Sequence, residues 1–565
     1  MELIIRKYAL ENAVKHNGKA QIGSVIGSII QEKPEVKKNI QKIKEEVIRI
    51  VEEVNSTNKE NQLEELKHIA PELLEKKKEE KDIFESLKLP KKQGLVTAFP
   101  PGPEKYPHLG HAKACILNYL LAKKHNGKFI LRFEDTNPNL VKKEFYEIFE
   151  ENLSWLGVEW DKLQYASDNM ELFYKMGEKL IRRGHAYVCF CEQNKIKQSR
   201  KTGKECKCRK KSAKENLKAW REMKNYEEGS CVVRMKIDLK HKNTTMRDPA
   251  IFRIIESRHA RLGNEYKIWP NYDFQNAVMD GYYGVDFRIR SKEFELRGEL
   301  QNYIQKLLRL KQTKTYEIAR FEIKGVPSSG RIIREMIESN KLMGWDDPQL
   351  TTLVALKRRG FKPEAIVDFL ISTGISKAES VLEWDDLIIH NKRLLDKEAK
   401  RYFFIEEPRK IIIENSPKIN AKIPLHPENK RLGFREFRTG NEFYIEEKDL
   451  EKIQKMGDNS MIRLMDCINF IKKNNKFTFH SAEYKNYKSH KGNKIIIHWL
   501  PADNENKKNL INVEILMPDH EIKKGLGSSY LKKIKTEDVI QFERFGFCKL
   551  DSEEKRVMKF WFTHK

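Results

Sequence analysis

The segment Gly94 to Asp135, GLVTAFPPGPEKYPHLGHAKACILNYLLAKKHNGKFILRFED, constrains the fold more than any other part of the chain. Gly94 to Phe99 has the apolar, β-branched character of a short buried strand. Prolines at 100, 101, 103 and 107 stiffen the loop that follows, which delivers His108, Leu109, Gly110 and His111 to the start of an amphipathic helix. Asn126-Gly127 supplies a C-cap signal, and Lys128 to Phe133 reads as the next strand. Strand, helix and strand in this span make half of a nucleotide-binding βαβ unit. Two imidazoles three residues apart lie on one side of the first helical turn, where unpaired backbone N–H groups and the positive end of the helix dipole favour phosphate. Gly110 lets a nucleotide approach the backbone. The alternative is that both histidines cap the helix or sit on its surface.

A chain of 565 residues divides into about three to five domains, each with its own core. Lys and Arg number 109 against 83 Asp and Glu, and the net charge of +26 suits a polyanionic partner bound through phosphate contacts. A solvated surface rich in Lys and Glu has the same composition. The absence of an apolar signal region, or of any run near 18 apolar residues, argues for a cytoplasmic protein that does not meet a membrane.

Residues 1–92 are helical in pattern, with Ala9-Leu10, Val14, Val25-Ile26 and Ile29-Ile30 as the apolar positions, and KKKEEKDIFESLKLPKK reads as an exposed helix passing into a linker. From 93 to 315 strand and helix signals alternate, which predicts a doubly wound, Rossmann-like α/β domain. It is interrupted at about 189–255 by a cysteine-bearing segment with a RMKIDL strand. Residues 316–400 turn helical again. In 401–565 short runs such as RYFFI, NKIIIHWL, VIQFERFGF and VMKFWFTHK, separated by Gly, Asn and Pro turns, predict antiparallel β-barrels. The fold class is therefore multidomain.

Around the His108 loop, the strings GHAKA, NYLLAKKHNGKFILRFEDT and LSWLGVEWD resemble the glutamyl and glutaminyl branch of the class I aminoacyl-tRNA synthetases, with HLGH in the place of the HIGH signature. ALENAVKHNGKAQIGSVIGSIIQEKPEVKKN is similar to the appended N-terminal domain of the archaeal glutamyl enzymes, and RLGFREF and IQFERFGFCKLD to their anticodon-binding barrels. The resemblance implies a class I catalytic domain whose insertion grips the acceptor end of tRNA, and a helical stem-contact region around GWDDPQLTTLVALKRRGFKPEAIVDFL. It implies attachment of L-glutamate to tRNA through a glutamyl-adenylate, with ATP and Mg²⁺. The substrate is the glutamate tRNA, with the glutamine tRNA left open as a second one. A glutaminyl enzyme and a non-catalytic tRNA-binding paralogue stand as alternatives. An enzyme that modifies a tRNA base is disfavoured by the barrels.

The same resemblance implies roles for particular residues. Pro101, His108, Leu109, Gly110 and His111 would line the ATP site, with the two histidines and Gly110 taking part in catalysis. The second signature of the family, a mobile lysine-bearing loop, corresponds to GVPSSGRIIREM at 325–336, where Ser328, Ser329, Gly330 and Arg331 would cradle phosphate. No lysine sits in that core, and Arg331 and Arg334 are its nearest cations. Tyr272, Asn276 and Arg290 would line the amino-acid pocket. Arg290 would pair with the γ-carboxylate, which glutamine cannot match, and Glu134 would hold the α-ammonium. A strand-end salt bridge is the other reading of Arg290. Three departures stand out: Ala98 replaces an Arg, Gly284-Val285-Asp286-Phe287 replaces GVTH, and Gln349 replaces an Arg of the stem-contact region. Asp135 reads as a cap of the following helix.

Cys189, Cys191, Cys206 and Cys208 form CxC, a 14-residue basic spacer and CxC. Four thiolates match a closed tetrahedral Zn²⁺ site, although the usual spacing is wider. Free buried thiols are the alternative, and disulfides do not suit the cytoplasm. Cys115, Cys231, Cys467 and Cys548 are isolated and read as core residues.

Overall fold

The computed structural model describes the chain except at 17, 34, 37–39, 71–72, 74–81, 88, 90–92, 475, 504–507 and 556, and except for the side chains of 15, 31 and 40–42. Most of the expected exposed helix and linker at 76–92 lies outside the described residues, and 83–86 form a turn.

Met1–Ser86 is one compact unit built on four helices, α1 (Glu2–Lys15), α2 (Ile22–Glu32), α3 (Ile40–Ser56) and α4 (Lys59–Ile69). Ile5, Ala9 and Ala13 recur at helical spacing on α1 and meet Val25 and Ile29 of α2 and Val47, Ile50, Val51 and Val54 of α3. Gln62, fully buried on α4, donates its amide to the carbonyls of Val54, Thr57 and Gly18 and so satisfies the ends of the neighbouring turns.

The second unit, Leu87–Lys565, opens with β1 (Val96–Phe99), α5 (Leu109–Lys124), β2 (Lys128–Phe133), α6 (Lys143–Trp155), β3 (Lys162–Tyr165) and α7 (Met170–Arg182). An insertion carries β4 (Ala186–Cys189), β5 (Val232–Met235), β6 (Ala250–Ile254) and β7 (Ile268–Pro270), and then come α8 (Tyr272–Tyr282), β8 (Phe287–Ser291), α9 (Glu295–Leu308) and β9 (Lys314–Ile318). The C-cap signal is realised: Asn126 takes φ 47°, and a Cβ on Gly127 would stand 1.9 Å from the Leu95 carbonyl oxygen, so only glycine fits where the helix turns back onto β1.

The main sheet is all parallel, in the order β3-β2-β1-β8-β9. Its strand order reverses between β1 and β8, and the crevice at the carboxyl ends of these two strands is where such sheets bind ligands. The insertion is a separate antiparallel sheet, β4-β5-β6-β7, over 186–270. It is wider than the 189–255 expected, because β4 begins three residues before Cys189 and β7 runs to Pro270.

Past β9 the chain is helical, with α10 (Gly330–Glu338) and further helices Leu353–Arg359, Pro363–Ser372 and Trp384–Glu398. Two short strands that the sequence did not reveal, Phe321–Ile323 and Ser380–Leu382, pair in parallel among them. The remainder folds into two seven-stranded sheets and a hairpin. Most pairs are antiparallel as expected, but Pro408–Glu414 with Lys476–Ser481, Ser460–Leu464 with Lys494–Ile497, Arg401–Tyr402 with Val539–Phe542, and Ile511–Leu516 with Val557–His564 run parallel. Hairpin turns impose antiparallel pairing only on consecutive strands; these four pairs join segments distant in sequence.

Candidate functional site

The proline loop after β1 ends at His108, the N-cap of α5. Its position is fixed from β2, since the Glu134 amide donates to the Pro101 carbonyl at 2.9 Å. The Gly110 amide donates to His108 Nδ1 at 3.1 Å, the His108 amide donates to His111 Nδ1 at 3.3 Å, and the two rings lie 4.0 Å apart. A ring nitrogen that accepts an N–H carries no proton, so in each neutral imidazole the proton sits on Nε2. Burial keeps both rings neutral: His108 is pushed down to about 3, with help from the charges of Lys105 and Arg320, and His111 is lowered well below its ordinary range by burial, His108 and Lys105.

The result is a pair of Nε2–H donors at the mouth of the crevice. The sequence reading, which placed a phosphate on open backbone amides, is corrected in part. The Leu109 amide donates to the Thr351 carbonyl at 3.2 Å and the Gly110 amide is taken by His108, so the histidine side chains are the donors left over. The histidines do cap the helix, and this capping is what orients their free edges.

A second group of polar side chains is buried between β2, α8 and β8. Arg288 donates to Asn276 Oδ1 and, at 2.7 Å, to Asp280; Arg132 donates to the other Asp280 oxygen at 2.6 Å. Glu134 is half-buried beside them with one shielded carboxylate oxygen unpartnered, and burial pushes its carboxyl up to about 8 against the opposing pull of Arg288 and Asn276. Tyr272 closes the group, stacked on Phe294 with ring centroids 5.2 Å apart, and its phenol is raised by burial and by Glu134.

Arg290 sits one step along the same face of β8, but its donors are taken. Nε reaches Glu317 at 3.2 Å, one terminal nitrogen reaches Gln301 at 2.8 Å and the other the Phe294 carbonyl at 3.2 Å. The structure therefore brings Arg288, rather than Arg290, against Asn276 and Glu134, and Nε of Arg288 is buried without a partner. Residues at alternate positions of a strand share a face, and the resemblance that pointed to Arg290 did not single out Arg288, two residues earlier on that face.

Ala98 is fully buried with Ile130 and Val285. The register Thr97 to Phe287 sets Ala98 beside Arg288 on the neighbouring strand, so a guanidinium stands next to the place where the resembled family carries one. Asp135 does not cap the following helix. It accepts from Tyr146 at 2.8 Å and from the amide and hydroxyl of Ser167, tying α6 to the turn after β3.

The Ser328 to Arg331 segment leads into α10, with Ser329 as N-cap. Arg331 is exposed and donates to Glu335 one turn along, at 3.0 Å. Gln349 lies 3.3 Å from the ring of His520, which is paired with Asp347.

In the insertion, Cys189 at the end of β4 comes together with Cys191, Cys206 and Cys208, all four sulfurs lying within 4.8 Å of one another. A tetrahedral Zn²⁺ with Zn–S bonds of about 2.3 Å needs sulfurs about 3.8 Å apart, and the Cys189 and Cys206 sulfurs are 3.9 Å apart. The four residues fit the ion. Cys115, Cys231, Cys467 and Cys548 are free and buried, as expected of core residues, with Cys231 near Cys189.

Residues 94–397 match the profile of the family described as tRNA synthetases class I (E and Q), catalytic domain. Residues 399–488 and 496–551 match two profiles described as the anti-codon binding domain of the same synthetases. Over 583 residues the chain is 39% identical to a glutamate–tRNA ligase of Pyrococcus furiosus, covering 100% of both proteins. It is 37% identical over 570 residues to that of Methanocaldococcus jannaschii, again covering 100% of both, and 38% identical over 575 residues to that of Nitrosopumilus maritimus, covering 99% of each.

Proposed function

The chain belongs to the class I tRNA synthetases of the glutamyl and glutaminyl family, and from that premise we propose that it is a glutamate–tRNA ligase. It joins L-glutamate to ATP, as its Mg²⁺ complex, to form glutamyl-adenylate and passes the acyl group to the terminal adenosine of tRNA. The observation that carries this reading is the neutral His108–His111 pair, held with both Nε2–H edges free beside a buried arginine-lined pocket.

In activation a substrate carboxylate oxygen attacks the α-phosphorus and pyrophosphate leaves. No enzyme nucleophile is needed, and the rate gain comes from positioning and from donors aimed at phosphate charge. His108 and His111 supply such donors. Glu134, whose carboxyl burial pushes up, would pair with the α-ammonium, whose charge favours the carboxylate. Tyr272, Asn276 and Arg288 meet the rest of the amino acid, and Arg290 backs Arg288 from the adjacent position. The insertion at 186–270 would take the acceptor end of tRNA and the barrels the anticodon. A cytoplasmic location follows from this role, and among the described residues no helix is long and apolar enough to cross a membrane.

The test is charging of purified glutamate and glutamine tRNAs with labelled glutamate and glutamine. Glutamate on its own tRNA supports the proposal, and the second tRNA reports how strict the enzyme is. Glutamine charging alone would replace it with the glutaminyl reading, and tRNA binding without charging with the non-catalytic one.

Arg290→Gln is expected to raise the KM for glutamate about tenfold, the scale of one charge-assisted hydrogen bond, with kcat little changed. Its guanidinium is engaged by Glu317 and Gln301 and so acts chiefly through the field it adds to the pocket. Steady-state kinetics at saturating ATP and tRNA measure this, and an unaltered glutamate KM would remove Arg290 from substrate recognition.

Cys189, Cys191, Cys206 and Cys208 would hold a Zn²⁺ that ties together the two ends of the helix Gln193–Thr202 in the insertion. Elemental analysis of purified protein is expected to find about one zinc per chain. The metal should be lost from the Cys189→Ser, Cys206→Ser double variant. Metal-free protein with full charging activity would refute the site.

A further inference from the structure

We propose that Lys105, on the proline-rich loop between β1 and α5, is the cation that holds the ATP phosphates, in the place of the lysine that the Ser328-Ser329-Gly330 loop lacks. This deepens the reading of the protein as a glutamate–tRNA ligase and rests on it.

Three features of the geometry carry it. Lys105 lies three residues before His108 on the same rigid loop, and its charge reaches both imidazoles, helping to keep them unprotonated. Its stem fills a particular space: a Cβ built on Gly330, the first residue of α10, would stand 3.3 Å from Lys105 Cδ and 3.9 Å from Trp345, with nothing else within 4 Å. A side chain on residue 330 would therefore adjoin the stem of Lys105, which would have to give by a few tenths of an ångström. Finally, Lys105 makes no ion pair or hydrogen bond among the described residues, although it is largely withdrawn from solvent.

The other cations nearby are accounted for differently. Arg331 is held by Glu335 on the exposed face of α10, and Arg320 is paired with Glu293. Arg334 is exposed on α10. Glu104 and Arg334 are the charged neighbours of Lys105 besides Arg320, and burial raises the Glu104 carboxyl and lowers the Lys105 ammonium. An unpaired, half-desolvated ammonium next to two Nε2–H donors favours a polyanion, and it would strengthen as a donor when phosphate enters.

The test uses the full chain with the glutamate tRNA. Lys105→Gln is expected to lower kcat/KM for ATP in glutamate-dependent pyrophosphate exchange about a hundredfold, the scale of one lost charge-stabilising donor, with the glutamate KM unchanged. Lys105→Arg should stay within about tenfold of wild type. The decisive variant is the exchange of the two residues, Lys105→Gly with Gly330→Lys, which is expected to recover most of the activity that Lys105→Gly loses.

A wild-type enzyme that charges tRNA while Lys105→Gln shows wild-type ATP kinetics overturns the proposal and leaves the function intact. So does an exchange variant no better than Lys105→Gly when its melting curve matches wild type. Should the wild type fail to charge tRNA, the functional reading falls. Calorimetric titration with ATP then decides this one: weaker binding by Lys105→Gln supports Lys105, and equal binding refutes it. If Lys105→Gln does not fold, Lys105→Arg and the exchange variant decide by the same readings.

Discussion

Alanine at His108 or at His111 is expected to lower glutamate- and tRNA-dependent pyrophosphate exchange about 10²- to 10³-fold, the loss that follows removal of one preorganised donor from developing charge. Binding of tRNA should stay near wild type, because the proposed role of the two rings is toward ATP and not toward tRNA. The size of the effect comes from preorganisation. Each Nδ1 is committed to a backbone amide, so each Nε2–H is aimed before ATP arrives and needs no reorientation during reaction. Acid should reveal the same arrangement. An unfolded His titrates near 6.5, whereas folded His108 is lowered to about 3. Between these values the unfolded chain takes up a proton that the folded one does not, so the stability contributed by the neutral ring is full above about 6.5 and is lost as the pH falls toward 3. In His108→Ala the melting temperature should therefore fall less steeply between pH 6.5 and pH 4 than in wild type. Normal exchange in both alanine variants would take the histidines out of the ATP site.

How much of this was legible in the sequence depended on whether the signal was local. The strand, loop and helix of 94–135 could be read because burial pattern, prolines and the Asn126-Gly127 cap all act within a few residues, and the four cysteines because ligand spacing is itself a local property. The choice between Arg288 and Arg290 was not local. It is made by Asn276 and Asp280 on α8 for one and by Glu317 on β9 for the other, and only the sheet register brings these together. Arg331 was chosen from the sequence because it lies in the loop that should hold a cation. An i,i+4 partner, Glu335, claims it, and the space beside Gly330 is filled from a loop more than 200 residues earlier. The parallel pairs in the barrels were hidden for the same reason, since turn residues report hairpins and say nothing of strands that close a sheet from afar.

Asp280→Asn is expected to destabilise the protein by about 3–5 kcal/mol, the cost of removing one partner from a buried ion pair. The carboxylate of Asp280 serves two guanidiniums at once, Arg132 at 2.6 Å and Arg288 at 2.7 Å, and all three side chains are at most 3% exposed. Burial alone would raise its pKa, but the two arginines hold it below the usual carboxylate range. Its contribution is therefore present at neutral pH and is lost only as acid protonates it, below the unfolded value of 3.8. An amide of the same shape keeps the packing and removes the charge, leaving two cations without an anion. Denaturant titration measures the loss, and a change below about 1 kcal/mol would mean that water or a relaxed side chain replaces Asp280. Arg288→Gln separates the two duties of the triad. Asp280 retains Arg132, so stability should suffer much less. The pocket, however, loses the guanidinium that stands beside Ala98 and faces Glu134, and kcat/KM for glutamate should fall about a hundredfold, toward the value for glutamine, as expected for a bidentate charge-assisted pair. If Arg288→Gln is destabilised as badly as Asp280→Asn and still prefers glutamate as wild type does, Arg288 is a structural member of the triad and selection of the amino acid lies elsewhere.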